Sequence, residues 1–556
     1  MDDKTQMPAQ MVESVVPVSD HCFSEDDVHW WKQPGLRRLY LLMPFLFLGS
    51  TTLGYDGSLL NGLQAMPAWQ DCTCFNPYYQ LYANQFSLPQ PNWLSSRSLW
   101  SYAWLRGPGG TPFCPVHRRL PWSKTWDRLV QPLVNRGTVN LFLAIGNLFV
   151  LLGALIQAFP PARNPKGMYL AGRFFIGFGS NISNGTCPLL ITEISHPRHR
   201  GRITTIYNTL WYLGAILAAW TTFGTLVSIN TNLQWRLPTG LQCAMPGIQL
   251  LALYFIPESP RYNIARGNEE KARQMLIQYH GNGVETSFVK WEYEEISSTI
   301  RLERDAADES GWKEMVRTSG NRKRCILIIA TAIFSQCSGN SLVSYYLVQI
   351  LRSIGITNPR NQALFNGGLT IWCFLVALAF AFTVDKFGRR TLFLTAAIGM
   401  LISFTIWTAC AAMYEKTGQQ GYGNAVLGMI FCFYTVAGLA WPGLTVSYTV
   451  EILPYKIRAK GLTLCFCFTA LSGVFNQYVN PIGLKNLTWK FYFVYIAVLI
   501  IQCVMIYFYY VETRDLPLEE IARVFDGDEA AAALVADGLA AQNRRESKQG
   551  AEEKTV

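Results

Sequence analysis

Long apolar runs alternate along this chain with short polar clusters, and the runs are too long to be core helices of a soluble protein. A mostly apolar stretch of about 17 to 25 residues crosses roughly 30 Å of hydrocarbon as a helix, with every backbone polar group satisfied inside it. Such stretches occur at 39–61, 138–159, 167–189, 203–227 and 240–256. A charged segment, 257–324, then divides the chain. Beyond it come runs at 325–350, 364–384, 391–413, 425–448, 462–479 and 491–511. The pattern predicts an all-α polytopic membrane protein with a tail at 1–38, a helical bundle at 39–256, a linker at 257–324, a second bundle at 325–511 and a tail at 512–556.

The two halves repeat one another. Glu193-Ile194 followed by Arg200-Gly201 returns as Glu451-Ile452 followed by Arg458-Ala459-Lys460-Gly461, an offset of 451 − 193 = 258 positions. Related halves of spanning helices have a seam between them, and a polar site at that seam can face either side as the halves rock. Composition agrees: of 556 residues half are hydrophobic, 13% aromatic and only 15% charged. The net charge of +10 sits in short clusters between runs, where it reads as membrane orientation and excludes a nucleic-acid partner. Cysteines lie mostly inside apolar runs without metal-ligand spacing; Cys72 and Cys74, in a polar stretch, are the exception. No metal, cofactor or cleavable signal peptide is expected, and with no cluster of nucleophile, base and orienting acid the chain does not read as an enzyme.

Lys and Arg are retained on the cytoplasmic side, and alternate loops carry them: Lys32, Arg37 and Arg38; Arg198, Arg200 and Arg202; Lys386, Arg389 and Arg390; Lys456, Arg458 and Lys460. Both termini and the linker fall on that side. One crossing is then missing between the first run and the one at 138–159. The stretch that should hold it, 71–136, mixes Trp93, Trp100, Trp104 and Trp122 with Pro89, Pro91, Arg97 and Arg106. Each charge at mid-bilayer costs roughly 2.5 to 3.5 kcal/mol on insertion scales, so no helix is expected there. Either this is a genuine external or re-entrant insertion, or the deduced sequence holds a retained intron or frame shift; parity favours the second.

Several motifs resemble the sugar porters of the major facilitator superfamily, and within them the fungal lactose-permease-like and hexose-transporter branch. They are Gly54-Tyr55-Asp56, Gly172-Arg173 through Gly179, Glu193 to Gly201, Pro257-Glu258-Ser259-Pro260-Arg261, Asp385 to Arg390, Glu451 to Gly461, and Glu512-Thr513-Arg514. The resemblance implies the major facilitator fold, twelve helices in two six-helix bundles, of which the second is poorly supported here. It also implies sugar transport, by a monomer in the plasma membrane.

Asp56 lies inside an apolar run, where an unpaired carboxylate is costly and readily takes a proton, unless it reaches external water near the helix end. The resemblance implies that Arg173 meets it and that protonation breaks the pair and permits the inward swing. Sugars present hydroxyls, so amides, hydroxyls and aromatic faces at mid-membrane are the binding candidates. In the seventh helix these are Gln336, Asn340, Ser341, Tyr345 and Tyr346; in the fifth it is Asn208. A purely interhelical role stays open for Gln336 and Asn340. Cys373 and Val446 depart from the asparagine and tryptophan common in the family, which points to a disaccharide or unusual sugar.

Carboxylates at helix ends opposite Arg-rich loops read as conformational latches: Glu193 with Arg200, Glu451 with Arg458, Asp385 with Arg389 and Arg390, and with them Glu258 and Glu512. The first-half counterpart of the Asp385 motif, Asp127-Arg128, lacks the Gly-Arg-Arg that should follow. The sequence therefore reads as a proton-coupled sugar symporter. A facilitative uniporter, a non-transporting sugar sensor and the inactive product of a faulty gene model are its rivals.

Overall fold

The computed structural model describes residues 30–73, 139–160, 165–309, 312–381, 387–514 and 518–527. Of the anomalous stretch 71–136 only positions 71–73 are among them; Cys74, Asp127, Asp385 and Lys386 lie outside. Among the described residues there is helix throughout and no strand.

In the first half these helices are α1 (Pro34–Gln64), α2 (Pro67–Thr73), α3 (Val139–Ala158), α4 (Pro165–Ile194), α5 (Arg200–Ser228), α6 (Leu233–Leu241) and α7 (Ala244–Ala252). The linker forms α8 (Pro260–Ala265), α9 (Glu269–Tyr279), α10 (Ser287–Glu309) and α11 (Glu314–Arg317). The second half holds α12 (Ser319–Cys337), α13 (Asn340–Ser353), α14 (Pro359–Ala381), α15 (Arg389–Thr417), α16 (Gln420–Ala437), α17 (Trp441–Glu451), α18 (Tyr455–Leu487), α19 (Tyr492–Tyr509) and a short amphipathic α20 (Leu518–Asp526). Among the described residues each apolar run of the sequence falls mainly on helix. Among the described residues six stretches, Val139–Ala158, Ile203–Ser228, Ser319–Ser353, Pro359–Phe380, Arg389–Thr417 and Lys460–Tyr509, are long and apolar enough to cross a membrane. Helices α1 and α4 carry Asp56 and Arg173 and many Gly, Ser and Thr, which lowers their hydropathy and lets backbones approach closely.

Counted with the missing second crossing included, the sixth, seventh and tenth spanning segments read as continuous in sequence and are broken in the structure. The sixth starts earlier than expected, at Leu233, because Trp235 is fully buried and Gln234 satisfies itself on the Leu226 and Ile229 carbonyls; it then breaks at Gln242–Cys243. The seventh breaks at Ser338–Gly339, where Gly339 takes a left-handed φ of 100° open to glycine at no steric cost. The tenth breaks before Trp441-Pro442, since proline at the first helical turn lacks the N–H that would continue the preceding helix.

Packing divides the molecule. One continuous apolar core joins Leu36, Leu39, Met43, Cys187 and Ile191 of α1 and α4 to Met275, Leu276, Val289, Ile296 and Ile300 of the linker. A second runs from Met315 through Phe393, Phe404, Trp407 and Tyr448 to Ile521 and Phe525 of α20. The boundary between the two cores therefore falls after Ile300 and before Met315. Arg324, 1% exposed, fastens α20 to the start of α12 by an ion pair with Asp526 at 2.7 Å.

Close helix crossings hold the first half together. A Cβ added at Gly54 would overlap the Trp211 carbonyl, and one at Gly214 the Thr51 carbonyl, so α1 and α5 touch backbone to backbone. Gly153 and Gly172 do the same for α3 and α4. Across the seam, Asn61 Nδ2 donates to the Ser344 carbonyl at 2.6 Å, and Gly367 lies against the Trp220 ring.

Candidate functional site

Three elements meet at Asp56. Arg173 Nη1 of α4 donates to Asp56 Oδ1 at 2.5 Å, and Gln242 Nε2, at the break between α6 and α7, donates to the same oxygen at 2.8 Å. Arg173 Nη2 reaches Tyr169 Oη at 3.3 Å, and the guanidinium lies 5.7 Å from that ring's centre. The pair is largely withdrawn from solvent, with 13% and 18% of the two side chains exposed. At low effective dielectric such a pair is strong while intact, and removing either charge leaves the other uncompensated. Gln242 was absent from the residues singled out by sequence; its signal is an amide near the start of the apolar run at 240–256.

The second cluster surrounds the break between α12 and α13. The Gln336 carbonyl accepts Asn476 Nδ2 at 2.8 Å and Ser341 Oγ at 3.1 Å, and Gln336 Oε1 accepts the same hydroxyl at 3.2 Å. Tyr434 Oη donates to the Asn340 carbonyl at 3.3 Å and shares a hydrogen bond with Ser344 Oγ at 2.9 Å. Tyr346, itself at a kink with φ −126° and ψ 20°, donates to the carbonyl and Oε1 of Gln477 at 3.0 and 3.1 Å. Tyr345 lies within electrostatic reach of Asp56 and Arg173, which links the two clusters. Asn208 is exposed on α5, one turn before Tyr212, which lies within electrostatic reach of Cys373. Asn476, Gln477, Tyr434 and Asn61 were missed by sequence reading, although polar residues inside apolar runs mark all of them.

Buried amide oxygens without a hydrogen-bond partner among the described residues collect in this region: Asn61 Oδ1, Gln242 Oε1 and Asn340 Oδ1. Burying an acceptor unpaired is costly, so these atoms favour a ligand that brings donors.

The motif carboxylates at the linker end make a different set of contacts. Glu258 accepts the backbone N–H of Val139 at 3.1 Å and of Asn140 at 3.4 Å, capping α3. Glu512 accepts those of Arg389 at 2.6 Å and Arg390 at 3.2 Å, capping α15 in the same way. Glu193 bonds to Ser259 Oγ, and burial, partly offset by that hydroxyl, raises its pKa above the ordinary carboxylate value. Its counterpart Glu451 accepts Thr513 Oγ1 at 2.5 Å and lies 3.5 Å from Arg389 Nε. Arg200 and Arg458 reach the Ser195 and Leu453 carbonyls at 3.5 and 3.4 Å, and Arg390 reaches the Tyr507 carbonyl. These contacts stay within one half or join it to the linker; Asp385, part of the latch expected from sequence, lies outside the described residues. An anionic cap satisfies orphan N–H groups and complements the helix dipole. Glu512→Ala is therefore expected to destabilise the protein by about 2 kcal/mol, read as a fall in melting temperature, with Glu512→Gln recovering part of it.

The model of the family "Sugar (and other) transporter" matches residues 130–525. Among curated relatives, the MFS-type transporter criB of Aspergillus cristatus is 30% identical over 389 residues, covering 69% of this chain and 78% of that one. Hexose transporter HXT9 of Saccharomyces cerevisiae is 25% identical over 380 residues, covering 67% and 66%. Among solved structures, the inward-open xylose transporter XylE of E. coli superposes with a TM-score of 0.66 at 18% identity, covering 88% of this chain and 100% of that one. A fold of two helical halves, apolar spanning helices and a family match over most of the length converge: this chain is an integral, multi-pass membrane protein of the major facilitator fold and belongs to the sugar transporter family.

Proposed function

We propose that the protein is a proton-coupled symporter that imports a mono- or disaccharide by alternating access. The observation that carries this reading is the Asp56–Arg173 ion pair beside unpartnered amide oxygens at the seam of the two halves. Hydroxyls of a sugar supply the donors that Asn61 Oδ1, Gln242 Oε1 and Asn340 Oδ1 lack. A proton on Asp56 neutralises it, releases Arg173 and changes which arrangement of the halves is favoured. Gln336, Ser341, Tyr345 and Tyr346 shape the broken seventh helix against the cargo, and Asn208 approaches it from α5. Carbohydrate, proton and bilayer are then the partners of a monomer in the plasma membrane with both termini cytoplasmic. Relatives named as hexose transporters support the cargo class.

The test is uptake of labelled glucose, lactose and cellobiose into vesicles holding the purified protein, with external pH recorded. Sugar entry accompanied by alkalinisation outside is expected, and sugar entry without it makes the protein a uniporter. Gln336→Ala is expected to raise KM about tenfold with exchange retained, as befits the loss of one or two hydrogen bonds; an unchanged KM removes Gln336 from the site.

A further inference from the structure

Outside the spanning helices, a buried polar cluster lies where the linker meets the first half. His280, the residue that caps the C-terminal end of α9, has a side chain with 0% exposure, and Glu292 of α10 faces it with 4%. His280 Nδ1 is 2.7 Å from Glu292 Oε2, and Nε2 is 3.2 Å from the carbonyl of Ile194, the last residue of α4. Both partners of the ring are acceptors: a backbone carbonyl has no proton to give, and an ionised carboxylate has none. A neutral imidazole carries one N–H and can satisfy only one of them, whereas the imidazolium satisfies both. The cation also sits at the negative end of the α4 dipole. With Glu292 ionised, the geometry thus calls for a protonated histidine in a site closed to water.

The surrounding groups agree. His196, 1% exposed, lies with its ring centre 5.6 Å from that of His280 and stacks on Phe288 at 4.9 Å. Burial, with His280 next to it, pushes His196 down to about 3, so a second cation is not added. Burial works against the charge on His280, but the Glu292 carboxylate and its hydrogen bond outweigh it and raise the pKa. Burial also opposes the charge on Glu292, and His280 outweighs it, so that carboxyl falls below its ordinary value. The other charged or titratable groups facing the pair are Arg200 of α5, Tyr40 of α1, and Arg198 and His199 beside His196. Tyr40 Oη is hydrogen-bonded to His199 Nδ1 at 2.8 Å, which ties α1 into the same junction.

We propose that His280, donating to Glu292 and to the Ile194 carbonyl at once, is a proton-dependent bolt that fastens α9 and α10 to the end of α4, released by alkalinisation of the face on which the linker lies. The bolt acts on function through position: α4 carries Arg173, and Ile194 follows Glu193, whose carboxyl is bound to Ser259. Loss of the proton strips one hydrogen bond and one buried charge from the joint, and the linker loosens from the half it shares a core with. A raised histidine pKa means the bolt is whole below the ordinary histidine value of about 6.5 and is lost as pH climbs through the raised one. Acid does not break it until the lowered pKa of Glu292 is reached.

Hydrogen exchange of the α9 and α10 peptides tests this in the full-length protein in lipid nanodiscs, with no cargo, between pH 6 and 9.5, after correction for base-catalysed chemical exchange. In the native protein the opening of these peptides is expected to rise about tenfold per pH unit from the ordinary histidine range to the raised pKa and then level off, as release of one proton requires. Glu292→Gln, nearly isosteric, is expected to narrow that window toward the ordinary histidine value. His280→Gln is expected to open as much as the native protein at high pH, with no proton-linked slope. His196→Gln, which alters a histidine that is already neutral, is expected to keep the native slope. A flat native profile, or a native slope that survives in His280→Gln, overturns the proposal.

Discussion

Replacing Asp56 with asparagine is expected to abolish accumulation of sugar against its gradient while leaving exchange across the membrane intact. The amide has the shape of a protonated carboxyl and cannot ionise, so in the proposed symport cycle it mimics the proton-loaded carrier. In the native protein Arg173 spends its charge on Asp56 at 2.5 Å, with Gln242 as a second donor to the same oxygen. In the variant the guanidinium keeps only neutral partners such as Tyr169 Oη, and the arrangement favoured by the ion pair is lost. The internal-to-external ratio in vesicles with an imposed proton gradient is expected to fall to about one, because nothing then couples the downhill proton to the sugar. Counterflow, in which unlabelled sugar inside drives labelled sugar inward, is expected to persist. Accumulation that survives in the variant would remove Asp56 from coupling.

The largest effect on folding is expected at the crossing of α1 and α5. Gly214→Ala places a methyl on the Thr51 carbonyl oxygen, and Gly54→Ala places one on that of Trp211. A flexible side chain could move aside; a backbone carbonyl of a packed helix cannot without parting the helices. Overpacking of this kind costs about 1 to 3 kcal/mol where side chains can yield, and backbone contacts lie at or above the upper end. Either substitution is expected to abolish the monodisperse peak in fluorescence-detected size exclusion or to lower the melting temperature sharply. Gly224→Ala, on the same α5 but with open space around it, is the control and is expected to be neutral or slightly stabilising, since alanine favours helix by up to about 1 kcal/mol. If Gly224→Ala and Gly214→Ala behave alike, the crossing is looser than described.

Some of the site could be read from residue type alone. A carboxylate in the first run and an arginine in the third are expensive wherever they sit in a bilayer, so Asp56 and Arg173 announced themselves before any partner was known. Gln336, Asn340 and Ser341 stood out for the same reason, as polar groups where lipid offers no hydrogen bonds. What each does was less visible. Asn340 leaves its amide oxygen open, while Gln336 is engaged by Ser341, five positions on, and by Asn476, 140 positions away and close beside it only through the fold.

The sequence by itself determined where the chain is helical, that it has two related halves, and which charges lie within the apolar runs. Those properties are local: a spanning segment must bond its own backbone, and its composition must suit hydrocarbon, whatever surrounds it. Only the tertiary structure decided where helices break, that Glu258 and Glu512 cap helices distant in sequence, that Gln242 joins Arg173 on Asp56, and that His280 bridges linker and first half. Such contacts join positions tens to hundreds of residues apart, and a polar side chain has the same composition and local pattern whichever partner it finds. Its choice is set by geometry, because only the folded chain brings a donor and an acceptor within hydrogen-bonding reach away from water.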